Sequence, residues 1–175
     1  MFFVILVTLL TACAPHPDLA PGSAIPLASF TENGVAVTIV LERDAAGSIL
    51  LAATFTPLAA GYHLYSKDIP RDGVDGLGRP TLLELTPDAK MQVLGSLIES
   101  VGSTAPAEAP ETLRIYPAGP VTLRLPVALP PGESGLVSDQ VSVTFMICSG
   151  RKCRPPVVNR IVPVRVPGAD ALSNP

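Results

Sequence analysis

The sequence predicts an all-β domain, a two-sheet sandwich of immunoglobulin-like type with about eight short strands. Three observations lead there. Apolar residues recur with a period of two rather than 3.6 over most of the chain. Turn-forming Gly, Pro, Asn and Asp separate these runs. The 20 prolines and 14 glycines are more than a helical protein tolerates, yet below the level of low-complexity disorder. A length of 175 residues and 18.1 kDa suits one domain with tails. With 47% hydrophobic residues, 15% charged residues and mean hydropathy of +0.43, the chain is too apolar to be disordered. A net charge of -3, with 12 basic residues and no long basic run, leaves no footprint for nucleic acid or an anionic lipid surface.

Taken in order, residues 2–10 (FFVILVTLL) are apolar but for Thr8, too short to span a bilayer and suited to the core of an export signal. Residues 10–13 (Leu-Thr-Ala-Cys) resemble the lipobox of bacterial lipoproteins, which implies a signal peptide over 1–12 and a lipid on Cys13. No Lys or Arg precedes the apolar run, so the expected start lies upstream. Ala14 after the cysteine, rather than Asp, points by the same resemblance to the outer membrane. Residues 13–33, rich in proline, read as a tether, and the domain is expected over 34–166.

Within the domain, Val35, Val37, Ile39 and Leu41 alternate with Ala36, Thr38, Val40 and Glu42. Ile49, Leu51, Ala53 and Phe55 follow after turn residues 44–47, a hairpin signal. The only helix candidate is a turn over 87–91. Val121, Leu123, Leu125 and Val127 form an apolar face on which Pro126 predicts an edge strand or a bulge. Val141, Val143, Phe145 and Ile147 form another, and residues 158–166 close the domain through Pro163. Residues 167–175 read as a frayed tail. A closed β-barrel is the alternative architecture. Residues 73–78 (GVDGLG) lack the strand-to-helix context of a nucleotide site and read as a turn-rich loop.

Three cysteines become an even number once Cys13 is lipidated, and Cys148 and Cys153 then pair in an oxidising compartment. Four residues separate them, enough to close a hairpin with the cysteines facing each other at its base. Closing so small a loop stabilises a fold by only ~2 kcal/mol. Exposed bridges tend to be exchangeable, and the positive charges of Arg151 and Lys152 favour a thiolate. Two readings stay open at this point, an exchangeable pair and a structural hairpin bridge. C-x4-C is not in itself a redox motif.

The segment 143–158 (VTFMICSGRKCRPPVV) resembles the one that carries the active cysteines in the N-terminal periplasmic domain of the thiol:disulfide interchange protein DsbD, with Cys148, Cys153, Pro155 and Pro156 in the corresponding places. Residues 61–69 (GYHLYSKDI) and 114–129 (RIYPAGPVTLRLPVAL) are similar to two further stretches of that family, in the same order. The resemblance implies an immunoglobulin-like sandwich without cofactor. Its cysteine pair accepts electrons from a membrane-embedded donor and passes them to thioredoxin-like or other periplasmic disulfide proteins. It implies Cys153 as nucleophile and Cys148 as resolving residue, with His63 and Tyr65 in place of aromatic residues beside the pair. The family shields its cysteines with an aromatic cap, whereas residues 100–111 (SVGSTAPAEAPE) contain no aromatic residue. The chain is expected to act as a periplasmic lipoprotein served by a separate donor, with lipid as its sole membrane contact. Two other function classes remain: a binding or structural sandwich with an inert bridge, and a Cu(I) carrier using both thiolates with Met146 or His63.

Overall fold

The structure, a computed structural model, describes residues 22–107, 110–150 and 152–172. Strands β1 (Ala24–Glu32), β2 (Val35–Arg43), β3 (Ile49–Pro57) and β8 (Val121–Ala128) form an antiparallel sheet in the order β1-β2-β3-β8. Two short strands, β6 (Gln92–Val93) and β7 (Ile98–Glu99), line the far side of β8. The second sheet has the order β11-β9-β5, built from β5 (Leu82–Leu85), β9 (Leu136–Phe145) and β11 (Val157–Pro167). A separate ladder pairs β4 (His63–Leu64) with β10 (Ile147–Cys148).

The alternation places one face of each strand in a shared core. Val35, Val37, Ile39 and Leu41 of β2 are buried, as are Leu51, Ala53 and Phe55 of β3 and Val121, Leu123, Leu125 and Val127 of β8. Val141, Val143 and Phe145 of β9 and Val162, Val164 and Val166 of β11 meet them from the other sheet. The Phe55 and Phe145 rings, 5.6 Å apart edge to face, join the two layers. The protein is thus an all-β, immunoglobulin-like sandwich. No ladder joins β1 to β11 among the described residues, so the barrel alternative does not hold.

Four details differ from the sequence reading. Eleven strands are present among the described residues rather than about eight, four of them (β4, β6, β7 and β10) two-residue ladders that carry no periodic signal. The domain begins at Ala24, not Gly34, because Asn33 and Gly34, with φ of 46° and 82°, turn the chain so that β1 pairs with β2. Asn-Gly is the signature of such a two-residue hairpin, but the prolines around it read as a tether. After β11, residues 169–171 form a 3-10 turn in which Ala171 is buried and Leu172 packs on the core, so the end is docked as far as it is described.

Pro126 is the fourth. It lies on a central strand, with β3 on one side and β6 and β7 on the other. Its carbonyl accepts from Leu94 N–H at 2.9 Å, so its backbone polar side faces β6 and β7. An antiparallel residue directs N–H and C=O to the same side. The donor that proline lacks is therefore absent opposite residues 94–97, where the neighbouring strand is interrupted, and the ladder to β3 keeps its bonds.

One inward residue of β9 breaks the apolar pattern. Asp139, 6% exposed, accepts hydrogen bonds from the backbone N–H groups of Lys90 (3.0 Å) and Met91 (2.9 Å), and so fixes the loop between β5 and β6 and seats buried Met91. Asp139→Ala removes the acceptor of these two donors and of the Gln140 N–H, which also reaches the carboxylate at 2.8 Å. An unfolding free energy about 2–4 kcal/mol lower is expected in urea titrations, with an unchanged m value.

Candidate functional site

The cysteine pair stands at one end of the sandwich, where β10 continues β9 past Met146. The period of two carries on: Phe145 and Ile147 enter the main core, and Met146 and Cys148 point to the opposite face. A second, smaller cluster covers that face, in which Cys148 packs with Tyr65, Ile69 and Leu113, with Val74, Ile115 and Met146 at its rim.

A narrow hairpin then returns the chain. Ser149 N–H donates to the Lys152 carbonyl (2.9 Å) and Arg154 N–H to the Ile147 carbonyl (3.0 Å). Between these bonds Cys148 and Cys153 lie directly opposite, Cα atoms 4.0 Å apart, and form a disulfide. The two sulfurs differ in access. Cys148 is 3% exposed, whereas Cys153 stands in solvent together with Lys152, Arg154 and Pro155. Asn33 Nδ2 donates to the Pro155 carbonyl at 2.9 Å, tying the returning limb to the β1–β2 turn.

On the other side of Cys148 the directly opposed residue is His63, since β4 pairs with β10 in the register Cys148↔His63. Cys148 thus has Cys153 and His63 as cross-strand neighbours. The His63 ring meets Tyr65 edge to face at 5.5 Å, and burial lowers the imidazole pKa below its ordinary value while raising that of the Tyr65 phenol. Tyr65 bridges to Ile115, and Ile115 to Thr104, so the small sheet has the order Cys153, β10, β4, Ile115, Thr104.

Of the residues singled out from the sequence, Cys148, Cys153, His63, Tyr65, Lys152 and Pro155 converge on this small sheet. Arg151 and Cys13 lie outside the described residues. Met146 packs against the Cys148 cluster as an apolar side chain, and among the described residues no three His, Cys, Asp or Glu side chains gather as a metal site.

Two contributors were not read from the sequence as parts of the site. The stretch 73–78 is a miniature hairpin in which Val74 and Leu77 exchange backbone hydrogen bonds of 2.9 Å around Asp75 and Gly76, whose φ values are 50° and 79°. Gly78 at its base lets the backbone approach Tyr65: a Cβ there would sit 2.9 Å from the ring. This loop brings Val74, and the turn before it Ile69, against the Cys148 cluster. Tyr116 is the other. Fully buried, its hydroxyl donates to Glu99 (2.6 Å) and accepts from Lys67 N–H (3.1 Å), and its N–H donates to the Leu64 carbonyl (2.9 Å), which holds β4 in place. The Asp75-Gly76 pair was the available signal for the first, and the similarity of 114–129 to a family stretch for the second.

Two clefts lie elsewhere. One of about 630 Å³ runs between β1 and the β9–β11 pair, past Leu27, Asp139 and Val164. Another of similar volume lies beneath the β2–β3 turn, past Gly47 and Leu172. Neither cleft is lined by the cysteine pair, whose exposed member, Cys153, is open to contact with another protein.

No family model and no curated protein matches this chain. Among solved structures, it is similar to the N-terminal domain of DsbD from Neisseria meningitidis in the reduced form, at 15% identity and a TM-score of 0.41, covering 83% of this chain and 85% of that one.

The half-buried histidine gives a pH signature. Its folded pKa is depressed, so the unfolded chain binds the proton more readily. Its full contribution to stability is present above the unfolded value of about 6.5 and is lost as pH falls from there through the folded pKa. Thermal unfolding between pH 7.5 and 5 is expected to show a decline that His63→Phe makes shallower.

Proposed function

We propose that this protein is a periplasmic thiol:disulfide exchange module working through Cys148 and Cys153. The observation that carries the reading is the unequal access of two cysteines opposed at the base of one tight hairpin. A partner can reach Cys153 without disturbing the fold, and Cys148 waits beneath it. In the reduced state the Cys153 thiolate attacks a sulfur of a partner disulfide. A bond forms between Cys153 and that sulfur, and the partner's other sulfur leaves as a thiolate. The Cys148 thiol then gives up its proton and attacks the Cys153 sulfur, restoring the Cys148–Cys153 bond and releasing the partner's second thiolate. Two electrons pass to the partner, whose thiolates take up protons. A dithiol donor reverses these steps to reload the pair. Lys152 and Arg154, exposed on either side of Cys153, favour its thiolate.

In this reading residues 1–12 are a lipoprotein signal, Cys13 is the lipid anchor at the outer membrane, and a membrane-embedded donor is a separate protein. These assignments rest on the sequence. A second reading, an inert bridge in a binding sandwich, draws on the ladder bonds of Ser149 and Arg154, which hold the hairpin closed without the disulfide.

Two measurements separate them. Equilibration of the purified protein in glutathione or dithiothreitol buffers is expected to give a potential of roughly -120 to -270 mV; a value below about -300 mV marks a structural bridge. In addition, Cys148→Ser is expected to accumulate a mixed disulfide through Cys153, detectable by mass, whereas Cys153→Ser, with only the buried thiol left, gives at least about tenfold less. Equal trapping by both variants contradicts the assigned order.

A further inference from the structure

The charge around the exposed sulfur specifies a partner. Between Asp139 and Asp170 the chain contains no Asp or Glu but five basic residues, Arg151, Lys152, Arg154, Arg160 and Arg165, in a protein whose net charge is -3. Arg160 is consumed locally: it pairs with Glu32 and lies over the Phe30 ring at 3.8 Å. Lys152 and Arg154 are exposed, sit immediately either side of Cys153, and belong to none of the ion pairs among the described residues, which join Lys67 to Asp68, Arg71 to Glu84, Arg124 to Glu42 and Arg160 to Glu32. The Arg154 side chain extends toward the β1–β2 turn, its Nε 3.9 Å from where a Cβ on Gly34 would be. The carboxylate beside that turn, Glu32, is already taken by Arg160. The accessible sulfur is therefore the centre of a small cationic rim on an otherwise acidic protein.

We infer that this rim selects its exchange partner, a protein whose reactive disulfide is bordered by carboxylates. The inference rests on the exchange reading above. An oncoming anionic surface is drawn to the two free cations and oriented with its disulfide over Cys153. A basic or neutral disulfide gains no such help, and the acidic remainder of the protein repels other acidic approaches. Because both cations lie within about 10 Å of the sulfur along the chain, the preference is strong at low ionic strength and screened at high.

The test uses the reduced full chain with two small disulfides of opposite charge, anionic oxidised glutathione and cationic cystamine. The ratio of their exchange rates is compared between the wild type and the Lys152→Glu, Arg154→Glu double variant. A change in thiol pKa affects both probes alike and cancels in the ratio. The wild-type ratio is expected to exceed that of the variant by on the order of tenfold or more in dilute buffer, and the gap to close in ~0.5 M salt. Exchange with both probes at ratios that the variant does not alter overturns the partner inference and leaves the exchange reading standing. Exchange with neither probe removes both. An unaltered ratio accompanied by loss of sedimentation with phosphatidylglycerol vesicles in the variant assigns the rim to an anionic membrane surface instead, and likewise overturns the inference.

Discussion

Side chains on neighbouring positions of a strand must face opposite ways, and the site is a consequence of following β9 and β10 one residue beyond the main core. Phe145 and Ile147 are committed to the space between the sheets, so Met146 and Cys148 emerge on the outer face. An apolar strand face that emerges into water is costly, and the chain covers this one with a second cluster drawn from Tyr65, Ile69 and Val74 in the segment after β4 and from Leu113 and Ile115. Burial of Cys148 follows from that cover. Exposure of Cys153 follows from the hairpin, which carries the returning limb out beyond the cluster's edge.

The supports are distributed accordingly. β4 has β10 on one flank and residues 114–116 on the other, and buried Tyr116 locks it through Glu99 and Lys67 N–H. Desolvation and the Glu99 carboxylate push the Tyr116 phenol far above its ordinary pKa, so it remains a neutral donor across physiological pH. The shield over Cys148 is aliphatic, from Ile69, Val74 and Leu113, with Tyr65 as its aromatic member, and the stretch 100–111 adds Thr104 as the outer rung of the small sheet. Protection of the inner sulfur thus comes chiefly from the segment following β4.

The sandwich was legible because alternation is a local signal: β2, β3, β8 and β9 each announce an inner face in their own residues, and the structure places those faces inside. Elements that depend on distant partners were not. β1 has its inner residues only partly buried and carries Pro26, so its pattern is weak until β2 is set beside it. β6 and β7 exist because β8 offers an edge. Asp139 looks like a break in a strand until the N–H groups of Lys90 and Met91 are brought to it. At the site, the facing of the two cysteines followed from their spacing and the family resemblance set His63 beside them, while the register that opposes His63 to Cys148 and the covering role of Ile69 and Val74 required the tertiary pairing of segments about 80 residues apart.

The ladder bonds of Ser149 and Arg154, together with the Asn33 contact to Pro155, hold the two limbs of the hairpin without help from the sulfur atoms. Opening the disulfide consequently leaves the backbone geometry in place, and the two thiols remain neighbours. In the exchange reading proposed above, resolution of a mixed disulfide is then an intramolecular reaction between groups already at contact range, with a high effective molarity and little loop entropy left to lose. On that reading a covalent intermediate would be short-lived by construction, and a partner would be released as soon as its own bond had been exchanged.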